Sequence, residues 1–168
     1  MKSITIGFSK PKNMIFPIFS WLIRLIGKTP YSHTYIRWQT SVGPSICYQA
    51  AHTTIHFLSD RCFEEQIEEI ESFNFSITDE QYGKLLKYCL ENCGVKYGLI
   101  EVFGVLAAQV FNLKKNPFAR GQNEQFCAEL VLRIVDEIDG AKPPFDPDLV
   151  TLKTLHDYVV KKYETGNL

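Results

Sequence analysis

The chain has no apolar stretch long enough to cross a bilayer, no surplus of charge, and no paired cysteine motif. Each shortage removes a class of function. Eighteen Lys and Arg against nineteen Asp and Glu leave a net charge of −1, so no global field draws the protein to nucleic acid or to an anionic surface. No basic stripe interleaved with aromatics and no nucleic-acid motif is present. The five cysteines, Cys47, Cys62, Cys89, Cys93 and Cys127, form no CxxC pair. Cys89 and Cys93 have helical i,i+4 spacing, with no second pair or nearby histidine to complete a zinc site. No metal and no cofactor is expected. Apart from Cys127 the cysteines read as buried structural thiols, which suggests a reducing, cytoplasmic compartment. Residues 14–26 are apolar and follow Lys10 and Lys12, as in a signal peptide. Pro17 and Arg24 interrupt them, however, and no small-residue cleavage site follows. They are expected to belong to the folded domain, with membrane contact the less favoured alternative.

What remains is enough apolar sequence, 45% of 168 residues, for a single domain over 1–168 with its own core. Residues 3–8 alternate as a strand does, and residues 17–26 predict a helix closed by Gly27 and Pro30. Residues 31–39 and 46–57 predict a hairpin across the turn at Gly43-Pro44, its first strand carrying His33. The acidic run 64–71 reads as a solvated edge or helical turn, and 73–77 as a further short strand. Thr78 with Gln81 three residues on has capping-box spacing for a helix to about Asn92. Residues 99–111 are apolar on nearly every face and predict a buried helix. Residues 114–125 predict a polar loop. A helix over 126–138 ending at Gly140 and a last helix over 152–163 complete an α+β pattern without repeats or linkers.

Two short segments at opposite ends carry the candidate chemistry: Ser32-His33-Thr34 and Phe126-Cys127-Ala128-Glu129-Leu130. A thiol becomes a strong nucleophile when an imidazole withdraws its proton. At a helix start, free N–H groups and the macrodipole favour a thiolate and can also stabilise an oxyanion. Cys127 is therefore the candidate nucleophile and His33 its base. Gln49 on the neighbouring strand is the candidate to orient the imidazole. His52 is the alternative, on the opposite face of an ideal strand. His56 and His156 have no context that raises them above surface or core histidines.

Four segments in order, Tyr31-Ser32-His33-Thr34, Tyr48-Gln49-Ala50-Ala51, Lys96-Tyr97-Gly98 and Phe126 through Val131, give the chain a family resemblance. It resembles the circularly permuted NlpC/P60-like, or YiiX-like, branch of papain-fold cysteine hydrolases, related to lecithin:retinol acyltransferase-type proteins. In that branch the histidine strand precedes the cysteine helix. Ser32-His33 matches the family's "SH" strand, and Cys127 to Val131 matches its "C-S-E-L-V" helix start with Ala128 in place of serine. Pro147-Asp148-Leu149 resembles a late proline/leucine segment. Gln49-Ala50 stands where the family often has glutamate and alanine. The resemblance implies an antiparallel sheet packed against helices and hydrolysis of an amide, as in an amidase or cysteine peptidase, through a thioester on Cys127. Peptide-like or acyl small molecules are the implied substrates. Tyr97 and Tyr31 are candidates to line the groove. The alternatives are a lipid-directed acyltransferase or thioesterase, and an inactive binding module on the same scaffold.

Overall fold

A computed structural model of the chain describes residues 1–12, 17–120, 123–140 and 142–163. Residues 14–16 of the apolar run and 121–122 of the polar loop lie outside the described residues.

Period-two alternation builds a curled sheet. Its strands are β1 (Lys2–Pro11), β2 (His33–Gln39), β3 (Ser45–Ala51), β4 (Thr54–Ser59), β5 (Ile67–Ile77), β6 (Lys96–Tyr97) and β7 (Glu124–Gln125). They lie in the order β5-β1-β2-β3-β4-β6-β7. Neighbours are antiparallel except β6 and β7, which run parallel. The expected antiparallel sheet is thus mixed. The helices are α1 (Pro17–Gly27), α2 (Asp60–Gln66), α3 (Asp79–Asn92), α4 (Leu99–Phe111), α5 (Cys127–Asp139) and α6 (Leu152–Tyr163), with a 3-10 turn at Pro147–Leu149. The molecule is α+β, a curled mixed sheet packed against helices.

Register decides which side chains share a face. Ile4, Ile6 and Phe8 of β1 lie beside Ile36 and Trp38 of β2, and Tyr48 and Ala50 of β3, in the main core. Helix α5 packs across β2 and β3, with Leu130, Val131, Ile134 and Val135 fully buried. Each such side chain contributes roughly 1.5–3 kcal/mol. The alternate residues, including Tyr35 and Cys47, meet Phe63 of α2 in a smaller cluster. Tyr35 lies over Gly7, where a Cβ would come within 2.2 Å of the ring. Only glycine lets β1 run beneath it.

Several expectations change. The region 46–57 is two strands, because His52-Thr53 forms a two-residue turn between the paired Ala51 and Thr54. His52 takes φ 57° there, a conformation a period-two reading does not anticipate. The acidic run is divided between the end of α2 and the start of β5, an eleven-residue edge strand. Carboxylates along an exposed edge discourage pairing with another chain. Of the four cysteines expected to be buried, Cys47 and Cys89 are, whereas Cys62 and Cys93 are exposed. Helix α4 has the expected bounds but is not buried all round: Leu99, Ile100, Phe103, Val110 and Phe111 are each more than two-fifths exposed. The capping box on α3 forms in both halves, Gln81 N–H to Thr78 Oγ1 and Thr78 N–H to Gln81 Oε1.

Gly7→Ala is expected to destabilise the protein by about 1–3 kcal/mol, since the fully buried Tyr35 ring has no room to move aside. Urea unfolding measures this, and an unchanged midpoint would mean that Tyr35 repacks freely.

Candidate active site

The β2–β3 ladder ends at the pair Ile36–Tyr48. Residues 33–35 continue beyond it, paired with β1 alone. The first turn of α5 sits against this end of β2. Its position is set from two sides. Pairing of Tyr97 with Gln125 joins β6 to β7 directly before the helix, and Gly98 N–H donates to the Gln125 carbonyl at 3.0 Å. On the far side, Arg133 pairs with the buried Glu129 at 2.7 Å and reaches Asp148 at 3.6 Å. This ties α5 to the 3-10 turn.

Phe126 is the N-cap residue of α5 and supplies no side-chain hydrogen bond. The first-turn N–H groups that a serine or aspartate cap would occupy are left for another acceptor. Cys127 Sγ takes that place. The N–H groups of Thr34, Ala128 and Cys127 itself lie near enough to the sulfur to favour its charged form. Thr34 directly follows His33, so the fold brings the cysteine to the histidine strand across more than ninety residues.

These donors do not yield a thiolate. Burial dominates and pushes the Cys127 thiol up to about 11, although the three N–H groups pull the other way. The expectation that the helix start would lower the thiol pKa is corrected on this point. Cys127 is only 5% exposed, and in so dry a site losing water costs the charged form more than the N–H groups return. Burial likewise drives His33 down from 6.5 to about 4, opposed only in part by its hydrogen bond to Gln49. At neutral pH both groups rest uncharged.

Gln49 is the residue that holds the imidazole. Its Oε1 accepts from His33 Nε2–H at 2.8 Å, which leaves Nδ1 as the basic nitrogen. An amide can present either end, and here a further residue decides which. His56 lies opposite Gln49 in the register. Its Nδ1–H donates to the Thr54 carbonyl at 3.0 Å, so its Nε2 accepts from the Gln49 amide N–H at 3.4 Å. The hydrogen bonds form one directed series, from His33 through Gln49 and His56 to the Thr54 backbone. Read as one strand, 46–57 gives His56 no relation to Gln49. With the turn placed at His52-Thr53, His56 falls opposite Gln49 by counting. His52 sits in that turn, exposed, and leaves the orienting position to Gln49.

Tyr97 lies close enough to Cys127 that the sulfur raises its phenol, which burial has already pushed well above its ordinary value. Tyr31 does not line this space. Its ring packs 4.9 Å from Phe8 and stacks at 5.5 Å on His156 of α6, so His156 too is a core partner, with Glu71 at 2.9 Å. A cavity of about 40 Å³ reaches the sulfur between α1 and α4, walled by Ile23, Val102, Leu106, Phe126 and Val150 among others. Helix α1 is seated on it through the Ser20–Ser32 hydroxyl pair at 2.5 Å. Among the described residues no cluster of three His, Cys, Asp or Glu is arranged to hold a metal, and no helix is long and apolar enough to cross a membrane.

No protein-family model matches this chain, and no curated protein matches it in sequence.

Two outcomes follow from the electrostatics. The unfolded chain takes up a proton on His33 near pH 6.5 that the folded protein refuses until about 4. Stability from this group is complete above 6.5 and lost as pH falls toward 4, by roughly 3 kcal/mol. Urea unfolding from pH 7 to 4 should show that slope in the wild type and a flatter one in His33→Gln. An equal slope in both would assign acid sensitivity elsewhere. In His56→Leu the Gln49 amide loses the acceptor that fixes its direction. Nitrogen NMR should then show His33 shifting from one tautomer to a mixture; an unchanged tautomer would mean that Gln49 needs no such support.

Proposed function

We propose that this chain is a cysteine-dependent hydrolase that acts on a carbonyl substrate through a thioester on Cys127, with His33 as base and Gln49 as the orienting residue, in a permuted NlpC/P60-like arrangement. The observation that carries the reading is the convergence at one end of β2. There the Thr34 N–H lies near the sulfur of Cys127, and His33, next to Thr34 in sequence, is held by Gln49 in the tautomer whose Nδ1 carries the lone pair. Three segments far apart in sequence supply these groups, and the chain order of histidine before cysteine agrees with the family resemblance.

A neutral resting pair sets the order of events. Cys127 attacks as its proton passes to His33 Nδ1, so thiolate and imidazolium form only as the carbonyl is engaged. The carbonyl oxygen becomes an oxyanion, with first-turn N–H groups of α5 as donors. The imidazolium then gives its proton to the departing amine or alcohol, leaving the acyl group on sulfur. Water, deprotonated by the same imidazole, cleaves the thioester and regenerates the thiol. Gln49 orients the ring without a carboxylate's charge, which lowers the stabilisation of imidazolium relative to a glutamate there.

The cavity walls favour one substrate class over another. Ile23, Val102, Leu106, Phe126 and Val150 offer apolar surface to the acyl side of the bond, which supports the lipid-directed, acyl-transferring alternative over a peptide. A cavity of about 40 Å³ admits little more than a water, so an acyl chain enters only as α1 and α4 separate. Five unpaired cysteines support a reducing, cytoplasmic setting.

The test is intact-mass detection of an acyl adduct after incubation with p-nitrophenyl esters of increasing chain length. An adduct on Cys127 is expected, absent in Cys127→Ala and reduced at least about 100-fold in formation rate in His33→Ala, the usual scale of a general base. Gln49→Glu should keep or raise the rate. No adduct with any ester, from a protein that unfolds normally, would reject the hydrolase and leave a binding module.

A further inference from the structure

The exposed surfaces of α1 and α4 are the largest feature that the chemistry above does not use. Ile18, Trp21 and Leu25 fall at i, i+3 and i+7 along α1 and are 76%, 54% and 56% exposed. Phe103 and Phe111 on α4 are 43% and 72% exposed. Phe19 packs on Phe103 with ring centroids 5.1 Å apart, so the two stripes meet. The buried sides of the same helices wall the cavity above Cys127. A folded protein rarely leaves so many large apolar side chains together in water without a partner for them.

Charge says which partner. Residues 1–59 contain no Asp or Glu, and residues 97–123 contain only Glu101. Glu101 is buried, 3% exposed, where it accepts from Arg120 N–H. Arg24 and Lys28 close α1. Lys114 and Lys115 follow α4 in a loop seated by Asn116, whose amide donates to the Glu101 and Asp148 carbonyls at 3.0 Å. None of these four cations has a carboxylate partner among the described residues. The near-neutral total conceals a segregation in which the ends of the apolar helices carry unpaired cations, whereas Asp146 and Asp148, on the 3-10 turn beside α4, are engaged by Asp148 N–H and by Arg133.

We propose that the α1–α4 face docks on an anionic lipid bilayer, with the apolar stripes in the headgroup region and Arg24, Lys28, Lys114 and Lys115 on lipid phosphates. Neither helix, at eleven and thirteen residues, is long enough to span a bilayer; each can lie along its surface with the exposed side among the headgroups. Trp21, exposed within the α1 stripe, is the residue type that favours the membrane–water interface. A second copy of the chain is a poorer occupant. A two-fold contact through this face would set the same unpaired cations against one another. Docking needs nothing from Cys127. Its consequence, that the cavity between these helices opens toward acyl chains in the bilayer, rests on the catalytic reading above.

Sedimentation of the Cys127→Ala variant of this chain with vesicles tests docking apart from chemistry. Vesicles of phosphatidylcholine alone are compared with vesicles that also contain phosphatidylglycerol. Binding to the mixed vesicles is expected, weakened by salt, with a blue shift in Trp21 emission; Trp38, 2% exposed, contributes an unchanging background. Trp21→Glu and the double variant Lys114→Glu/Lys115→Glu should each weaken binding at least about 10-fold and leave urea unfolding unchanged, since all three side chains are at the surface. Absence of binding to mixed vesicles overturns the proposal, as does undiminished binding in both variants. A concentration-dependent dimer that Trp21→Glu abolishes would overturn it in favour of a second copy. If docking holds while the ester experiment fails, the catalytic reading alone is lost.

Discussion

The first turn of α5 is pressed into the curled sheet with no capping side chain, and the site depends on that burial. Because Phe126 caps nothing, the free N–H groups of the turn face Cys127, and because the turn is buried, Thr34 N–H reaches the same sulfur. The β6–β7 pairing before the helix and the Arg133–Glu129 pair within it hold the turn there. The burial that assembles the groups also takes away their charge. A helix start in water would favour a thiolate; a dry one leaves the Cys127 thiol neutral, as burial leaves the His33 imidazole.

That neutrality gives the hydrogen-bond series from His33 to Thr54 its importance. Where no resting ion pair orients the ring by charge, direction comes from donors and acceptors in fixed order. A glutamine accepts from the imidazole but is indifferent to which end of its amide points there. His56, anchored by the Thr54 carbonyl, removes the indifference. A glutamate in place of Gln49 would need no such partner, since both its oxygens accept. The orienting residue and the residue behind it form one solution to one geometric problem.

The cavity and the exposed helices express a second constraint. Helices α1 and α4 are apolar on both sides, one turned to the space above Cys127 and the other to solvent. Neither helix exposes a carboxylate, since α1 has none and Glu101 of α4 is buried, whereas β5 at the edge of the sheet carries Glu68, Glu69 and Glu71. The cavity beside Cys127 and the unpartnered surface thus belong to the same pair of helices.

Local features were legible where local physics decides. The capping box at Thr78, the glycine closing α5, the bounds of α1, α4 and α6, and the hairpin carrying His33 all follow from propensity, periodicity and turn chemistry among neighbours. The pairing of His33 with Gln49 was legible as well, since strand alternation relates the two across one turn. His56 was not, because a two-residue turn with a positive φ at His52 leaves little mark in a run of β-branched residues. The four cysteines other than Cys127 look alike in composition, yet tertiary packing buries two and exposes two. Composition likewise determined that α4 is apolar on nearly every face, but only the fold decided which half of it would lack a neighbour. The same division holds for Cys127: sequence placed it at a helix start, which favours charge, and packing placed that start where water is excluded, which forbids it. Desolvation depends on everything that surrounds a group in space, and a reading along the chain sees only what precedes and follows it.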